Sequence, residues 1–246
     1  MHRILIAPSD VDGETLRVTN PQEVHHLRRV LRLNVGDQIA CLDGQGATYT
    51  GPILRVSIRE VVVKIATRAV DARPSVQLTL AQSLIQPERF EWALEKSTEL
   101  GVSRVMPLVT ERVVARMVAA SLERKMERWR RIMREAAKQC GQAAVPSLDA
   151  PCAFSEAVSA LARSGAIFMP TLAVPTTPLA GHLGALSNTA SVAVFIGPEG
   201  DFSDREASLA QAAGARLVSL GPLTLRSETA AITTLAILRH TLVNPA

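Results

Sequence analysis

Two short stretches near the end of the chain combine glycine, carboxylate, hydroxyl and guanidinium groups in a way that suits ligand binding. The first is Gly197-Pro198-Glu199-Gly200-Asp201-Phe202-Ser203, which follows the apolar run SVAVFIG. Ser203 and Glu206 then have the S-x-x-E spacing of a capping box, so a helix should open there and close at Gly214. The second is Gly221-Pro222-Leu223-Thr224-Leu225-Arg226-Ser227-Glu228-Thr229-Ala230, which leads from the run RLVSLG into a final apolar helix. A glycine loop between strand and helix ordinarily suits phosphate, because bare amides and the helix N-terminus attract anions. Glu199 and Asp201 argue against that ligand: two carboxylates repel a diphosphate, and neither G-x-x-x-x-G-K-[ST] nor G-x-G-x-x-G occurs. A molecule with adenosine, an ammonium and a sulfonium but no phosphate fits such loops better, which is the charge pattern of S-adenosylmethionine.

The elements that position these loops follow from the apolar pattern. After Ser75 strands alternate with helices: VQLTLAQSLI reads as a strand, PERFEWALEKSTELG as a helix with Pro87 at its start and Gly101 at its C-cap, and VSRVMPLVT as the next strand. Further strands are expected at 166–173, 191–197 and 216–221, with helices after the last two. This alternation implies a parallel sheet and an α/β domain, and ligands of open α/β sheets sit beyond the carboxyl ends of the strands. A Rossmann-type enzyme would place its glycine loop after the first strand, yet LTLAQSLIQPER has none. Before Val70 the pattern is different. Short β-rich runs with turns at Asp43-Gly44 and Gly51-Pro52 read as a small β-barrel, preceded by helical spacing of Val24, Leu27, Val30 and Leu31. The polar, proline-containing segment VDARPS at 70–75 divides the chain into expected domains 1–72 and 73–246.

The chain has 246 residues, 47% of them apolar, enough for a sizeable core, and its formal net charge is only +4. The positive charge is concentrated: 121–142 carries seven Lys/Arg against three acids, and 25–35 carries Arg28, Arg29 and Arg32 against none. The 121–142 stretch is also amphipathic, with Leu122, Met126, Trp129, Met133, Ala136 and Cys140 on one side. Aromatic content of 3% makes base stacking a minor mode of any nucleic-acid contact, leaving arginine and backbone groups. Cys41, Cys140 and Cys152 form no CxxC pair and have no histidine at metal-ligand spacing, so no metal site is expected and a reducing cytoplasm is the natural compartment. No signal peptide or membrane span is expected either.

The segments ALEKSTELGVSRVMPLVTERVV, FIGPEGDFSDRE and LGPLTLRSETAA, with HHLRRVLRLNVGD and LDGQG near the start, resemble the ribosomal RNA small subunit methyltransferase E family of the SPOUT superfamily. The resemblance runs the length of the chain. It implies an N-terminal PUA-like β-barrel that binds RNA and a C-terminal SPOUT α/β domain with a parallel sheet and a trefoil knot, an exception to unknotted topology. It also implies a homodimer that methylates uridine N3 in small-subunit ribosomal RNA, free or in an assembled subunit, with S-adenosylmethionine as cofactor. The implied cofactor residues are Thr171, Leu172, Gly197, Glu199, Gly200, Leu220, Gly221, Leu225, Arg226 and Thr229. The chain departs from the family pattern at Asp201, where a second glycine is usual, and at Lys138, Gln142 and the start of QPER.

Methyl transfer from a sulfonium is a single displacement, so the protein must chiefly align the reactants and remove water. Arg226 is the favoured group for stabilising a uridine anion, and Glu228 is a candidate proton acceptor. The plainer alternative is that Arg226 and Glu228 pair with each other at a helix start, and that Glu199 caps its own loop. Arg28, Arg29 and Arg32 are expected to contact RNA phosphates. A transfer-RNA methyltransferase of the same fold and a catalytically silent RNA-binding protein are the competing readings.

Overall fold

The computed structural model describes residues 1–70, 76–113, 119–172, 175–186 and 189–243. From Asp71 to Ser75 the expected domain boundary lies outside the described residues. The chain forms two compact units, one of residues 1–73 with 134–145 and one of residues 74–133 with 146–246.

The first unit comprises β1 (His2–Leu5), β2 (Val11–Asp12), β3 (Thr15–Val18), α1 (Pro21–His25), β4 (Gln38–Leu42), β5 (Ala47–Val56), β6 (Val61–Lys64) and β7 (Thr67–Val70). Its strands run in the order β1-β4-β5-β6-β3-β2, with β7 also on β5. The first half of β5 pairs with β4 and β7 and its last residues with β6, so the sheet curls along this strand into a half-barrel. Gly51 sits inside that curl. A Cβ there would lie 1.7 Å from the Lys64 carbonyl oxygen, so no other residue fits without moving the backbone. Ile4, Leu16, Leu27, Ile39, Ile53 and Val61 form the buried interior.

Asn20 caps α1, its side chain accepting hydrogen bonds from the Gln22 N–H at 2.9 Å and the Glu23 N–H at 3.3 Å. The helix does not continue as the apolar spacing suggests. It widens into a π-helical turn over His26–Val30 and ends at Arg32, whose φ is +53°. A π turn holds more residues than an α turn, which rotates later side chains out of register. Val24 and Leu27 are buried as expected, but Val30 is 60% exposed.

The second unit comprises β8 (Gln77–Ser83), α2 (Pro87–Glu99), β9 (Arg104–Val109), α3 (Ala119–Cys140), β10 (Ser147–Leu148), β11 (Cys152–Ala153), α4 (Phe154–Leu161), β12 (Ala166–Pro170), β13 (Thr177–Pro178), β14 (Ser191–Ile196), α5 (Asp204–Ala212), β15 (Arg216–Ser219) and α6 (Ser227–Val243). The sheet order is β10-β9-β8-β14-β12-β15-β13, with β11 also on β9, and among the described residues every pairing in it is parallel. Alternation along the strands divides the core by face. Leu78, Leu80, Val105, Phe168, Val192 and Val194 pack with α2, α3 and α6, while Ala81, Met106, Ile167, Ala193 and Phe195 pack with α4 and α5. At the end of α2, Gly101 takes φ +78°, the left-handed C-cap anticipated from the sequence.

Helix α3 buries Met126, Trp129 and Met133 in the second unit, and from Arg134 onward its residues belong to the first. There Lys138 Nζ lies 3.1 Å from Glu23 Oε1 and 2.8 Å from Glu135 Oε2. Burial alone would pull the lysine down, but hydrogen bonds to Glu135 and Glu23 and their charges outweigh it, so its pKa is raised. Gln142 Nε2 donates to the Ala144 carbonyl at 2.9 Å, and the Ala143 carbonyl accepts from the Gly46 N–H at 3.3 Å. Lys138 and Gln142, two departures from the family pattern, thus serve the packing of the first unit. Among the described residues no helix is long and apolar enough to cross a membrane, and no cluster of side chains suits a metal ion.

Candidate active site

Strands β12, β14 and β15 end at Pro170, Ile196 and Ser219, earlier than their apolar runs suggest, and release three loops at one edge of the sheet. These loops and the first turn of α6 enclose a cavity of about 260 Å³. Of the expected cofactor residues, Thr171, Leu172, Gly197, Glu199, Leu220, Gly221, Leu225 and Arg226 line it. Gly200 and Thr229 do not. The Gly200 carbonyl accepts a hydrogen bond from Arg112 Nη1 at 2.8 Å, and Thr229 is an exposed residue of the first turn of α6. Asp201, Ser219, Leu223, Thr224 and Ser227 also line the cavity, although sequence reasoning left them out of the site. Leu172 is 65% exposed and Leu223 76% exposed, so apolar surface is available on two different loops of the wall.

The loop after β14 is tightly built. The Asp201 N–H donates to the Pro198 carbonyl at 3.0 Å, closing a turn, and Asp201 itself takes φ +60°. A Cβ at Gly197 would lie 3.1 Å from the Phe202 ring and 3.2 Å from the Asp201 carboxylate, which explains the glycine there. Ser203 caps α5 as its spacing predicts: its hydroxyl accepts from the Glu206 N–H at 3.2 Å, and Glu206 Oε2 accepts from the Ser203 N–H at 2.9 Å. The other Glu206 oxygen accepts from the Glu111 N–H at 2.9 Å, so this buried carboxylate is fully employed.

The start of α6 is fixed by a buried chain of hydrogen bonds. Gln82 Nε2, at the end of β8, donates to Ser227 Oγ at 2.9 Å, and Ser227 Oγ donates to the Gly197 carbonyl at 2.5 Å. This holds the residue after Arg226 against both central strands. A lone glutamine in the apolar run LTLAQSL was the only trace of this arrangement in the sequence.

Arg226 is exposed on the cavity wall and has no ion pair or side-chain hydrogen bond among the described residues. The alternative of an Arg226–Glu228 pair is therefore not what the structure contains. Glu228 is 7% exposed and faces Arg89 of α2, with Arg89 Nε 3.9 Å from Glu228 Oε1 and Arg89 Nη1 3.5 Å from Glu199 Oε1. Glu199 thus shares one guanidinium with Glu228 rather than simply capping its own loop. Glu228 Oε2 is buried with no hydrogen-bond partner. A buried acceptor without a donor is costly, but Glu228, expected as a catalytic residue, is not among the residues that line the cavity.

In the first unit Arg28, Arg29 and Arg32 surround a recess of about 270 Å³ together with Leu33, Asn34 and Val56. A regular helix would already set Arg32 beside Arg28 and Arg29 at i,i+4 and i,i+3 spacing, and with the π turn and the left-handed Arg32 the three residues surround one concavity. Among the described residues none of the three forms an ion pair.

The second unit is a parallel α/β sheet with a three-loop cavity at its carboxyl edge, and the first is a half-barrel whose three arginines form no ion pair among the described residues; comparison with known proteins gives the class, an RNA methyltransferase. The model of the RNA methyltransferase domain family matches residues 72–239, and that of the RNA methyltransferase PUA domain matches 18–66. A ribosomal RNA small subunit methyltransferase E from Synechocystis is 33% identical over 96% of this chain and 76% of its own length; one from Bacillus subtilis is 27% identical over 93% and 91%. A solved structure described as a methyltransferase from Legionella pneumophila, in complex with the bound cofactor SAM, has a TM-score of 0.85 at 33% identity and covers 97% of both chains. The ribosomal RNA small subunit methyltransferase E from Neisseria gonorrhoeae, bound to S-adenosyl methionine, also has a TM-score of 0.85, at 25% identity over 98% of this chain and 97% of that one. The chain belongs to the ribosomal RNA small subunit methyltransferase E family of RNA methyltransferases.

Proposed function

We propose that the protein transfers the methyl group of S-adenosylmethionine to N3 of a uridine in small-subunit ribosomal RNA. The observation that carries this reading is the cavity itself: its wall joins two carboxylates, exposed leucines and backbone groups to an unpaired Arg226. Those groups fit an adenosine-bearing cation and would repel a phosphate. When bound, the cofactor supplies an electrophilic methyl group; the chain's own residues supply position and charge.

Uridine N3 lies on the Watson–Crick edge, so the target base must be unpaired or flipped out before it enters. Arg226, whose side chain has no ion pair or hydrogen bond among the described residues, is placed to stabilise the negative charge that spreads over N3 and its flanking carbonyl oxygens. Glu228, which follows the cavity-lining Ser227 but does not itself line the cavity, is the group we assign to receive the N3 proton, and this role requires its buried Oε2 to become accessible when the base enters. Arg89, beyond hydrogen-bond distance of both Glu199 and Glu228, keeps these carboxylates near one cation.

The half-barrel of the first unit serves as the RNA-binding domain, with Arg28, Arg29 and Arg32 contacting phosphates and the rest of the chain forming the catalytic domain. A trefoil knot in the C-terminal segment is supported by the placement of β15 beside β12 and by the anchoring of α6 on the end of β8 and on the loop after β14. A homodimer working in the cytoplasm, on free RNA or an assembled small subunit, completes the proposal. Incubation with labelled S-adenosylmethionine and unmethylated small subunits should place label on uridine N3. Label found only in transfer RNA would replace the substrate, and cofactor binding without transfer to any RNA would leave a silent RNA-binding protein.

A further inference from the structure

Asp201 occupies a backbone conformation that glycine adopts freely and most residues avoid, with φ +60°. Its carboxylate is fully engaged. Oδ2 accepts from the Thr171 hydroxyl at 2.8 Å and from the Leu172 N–H at 2.7 Å, and Oδ1 accepts from the Phe202 N–H at 2.8 Å. Two of these bonds cross from the loop after β14 to the loop after β12, and Thr171, Leu172 and Asp201 all line the cavity. Leu172 is 65% exposed, so its position is not set by burial of its side chain. The carboxylate of Asp201 is what holds its backbone.

The geometry points to Asp201 as a positioning residue for the cofactor: a latch that fixes the Thr171–Leu172 wall of the cavity before the ligand arrives. Glycine at this position would take the same backbone conformation without strain but would remove the Asp201 carboxylate that links the two loops. A carboxylate that accepts three hydrogen bonds ties both loops into one rigid wall, so less ordering remains to be done on binding. The strain of a left-handed Asp is offset by those bonds, and Asp tolerates this region better than most residues. The latch acts on the loop, not on the reacting atoms, so it governs cofactor affinity and leaves the transfer step nearly untouched.

This inference rests on the cavity being the S-adenosylmethionine site, and the experiment separates the two. Asp201→Gly and Asp201→Asn are compared with the unaltered protein by calorimetric titration with S-adenosylmethionine, steady-state kinetics on small subunits, and hydrogen exchange of the ligand-free protein. Asp201→Gly should weaken cofactor binding about 10- to 50-fold, raise KM for the cofactor in parallel and leave kcat within about twofold. Asp201→Asn keeps an acceptor oxygen and tolerates the same φ, so it should recover part of the lost affinity. The Leu172 amide should exchange faster in Asp201→Gly than in the unaltered protein, a readout that requires no cofactor. Unchanged affinity and unchanged Leu172 exchange in Asp201→Gly would overturn the latch, as would a fall in kcat at constant KM. If the unaltered protein neither binds nor transfers from S-adenosylmethionine, the reading of the cavity falls, and the latch falls with it as a cofactor device.

Discussion

The two concave sites of this protein treat charge in opposite ways. Around the cavity of the second unit the carboxylates are already committed: Asp201 accepts three hydrogen bonds, and Glu199 and Glu228 share Arg89. Among the described residues Arg226 has no ion pair or side-chain hydrogen bond there, and of these carboxylates' oxygens Glu228 Oε2 is buried without a donor. In the recess of the first unit Arg28, Arg29 and Arg32 form no ion pair among the described residues. A small ligand that must be held in one orientation is met by a preorganised, internally satisfied wall, whereas a long polyanion is met by cations whose counterions it can displace. The charges a protein leaves unpaired thus indicate what it waits for.

Changing Arg226 should have the largest effect. Arg226→Ala is expected to lower kcat for transfer about 10²- to 10³-fold while S-adenosylmethionine binding, measured by calorimetry, changes little. A variant that lost cofactor binding but kept kcat would move Arg226 from the reaction to the cofactor. Replacement of Arg28, Arg29 and Arg32 together by Ala should come next. RNA affinity should fall about tenfold or more at low salt, and the slope of log K against log salt should shrink by about 2, with cofactor binding unaltered. An unchanged salt slope would show that the recess makes no phosphate contacts.

Lys138 provides the contrast within the first unit, because its charge is spoken for by Glu23 and Glu135. Lys138→Met should leave catalysis alone but cost about 1–2 kcal/mol of stability in denaturant unfolding, since Glu23 would lose its partner in a site where its Oε2 is already unpaired. The pKa of Lys138 is higher in the folded protein than in the unfolded chain, so the folded state binds its proton more tightly. The contribution is therefore complete at neutral pH and fades only as the pH rises past the ordinary lysine range. The stability gap between Lys138→Met and the unaltered protein should be constant from about pH 7 to 9 and narrow above that.

The parallel sheet was legible because β8, β9, β12, β14 and β15 are continuous apolar runs separated by helical patterns. The capping box at Ser203 and the C-cap at Gly101 carried their own local chemistry. What escaped was either too short or too distant to leave a periodic trace. Strands β10, β11 and β13 have two residues each and exist only because a neighbour is present, and α4 falls between them. The π turn at His26–Val30 follows a spacing that also suits an α-helix, so the exposure of Val30 could not be read in advance, although the grouping of the three arginines could. Within the site, the loops were readable from glycine and carboxylate content, but the pairing of Arg89 with Glu228 joins residues far apart in the chain. The role of Asp201 was half visible: its unusual place among glycines signalled a strained backbone, but not the hydrogen bonds that compensate it.

The bond from Gln82 to Ser227 spans 145 positions of the chain. Contacts of such long range close late, because the loop entropy must be spent before they return anything. The wall of the cavity nearest Arg226 can form only after the last helix has docked on a sheet whose first strand was made long before. The first unit is complete once residues 134–145 have been made, whereas the cavity of the second waits for residues from 219 onward.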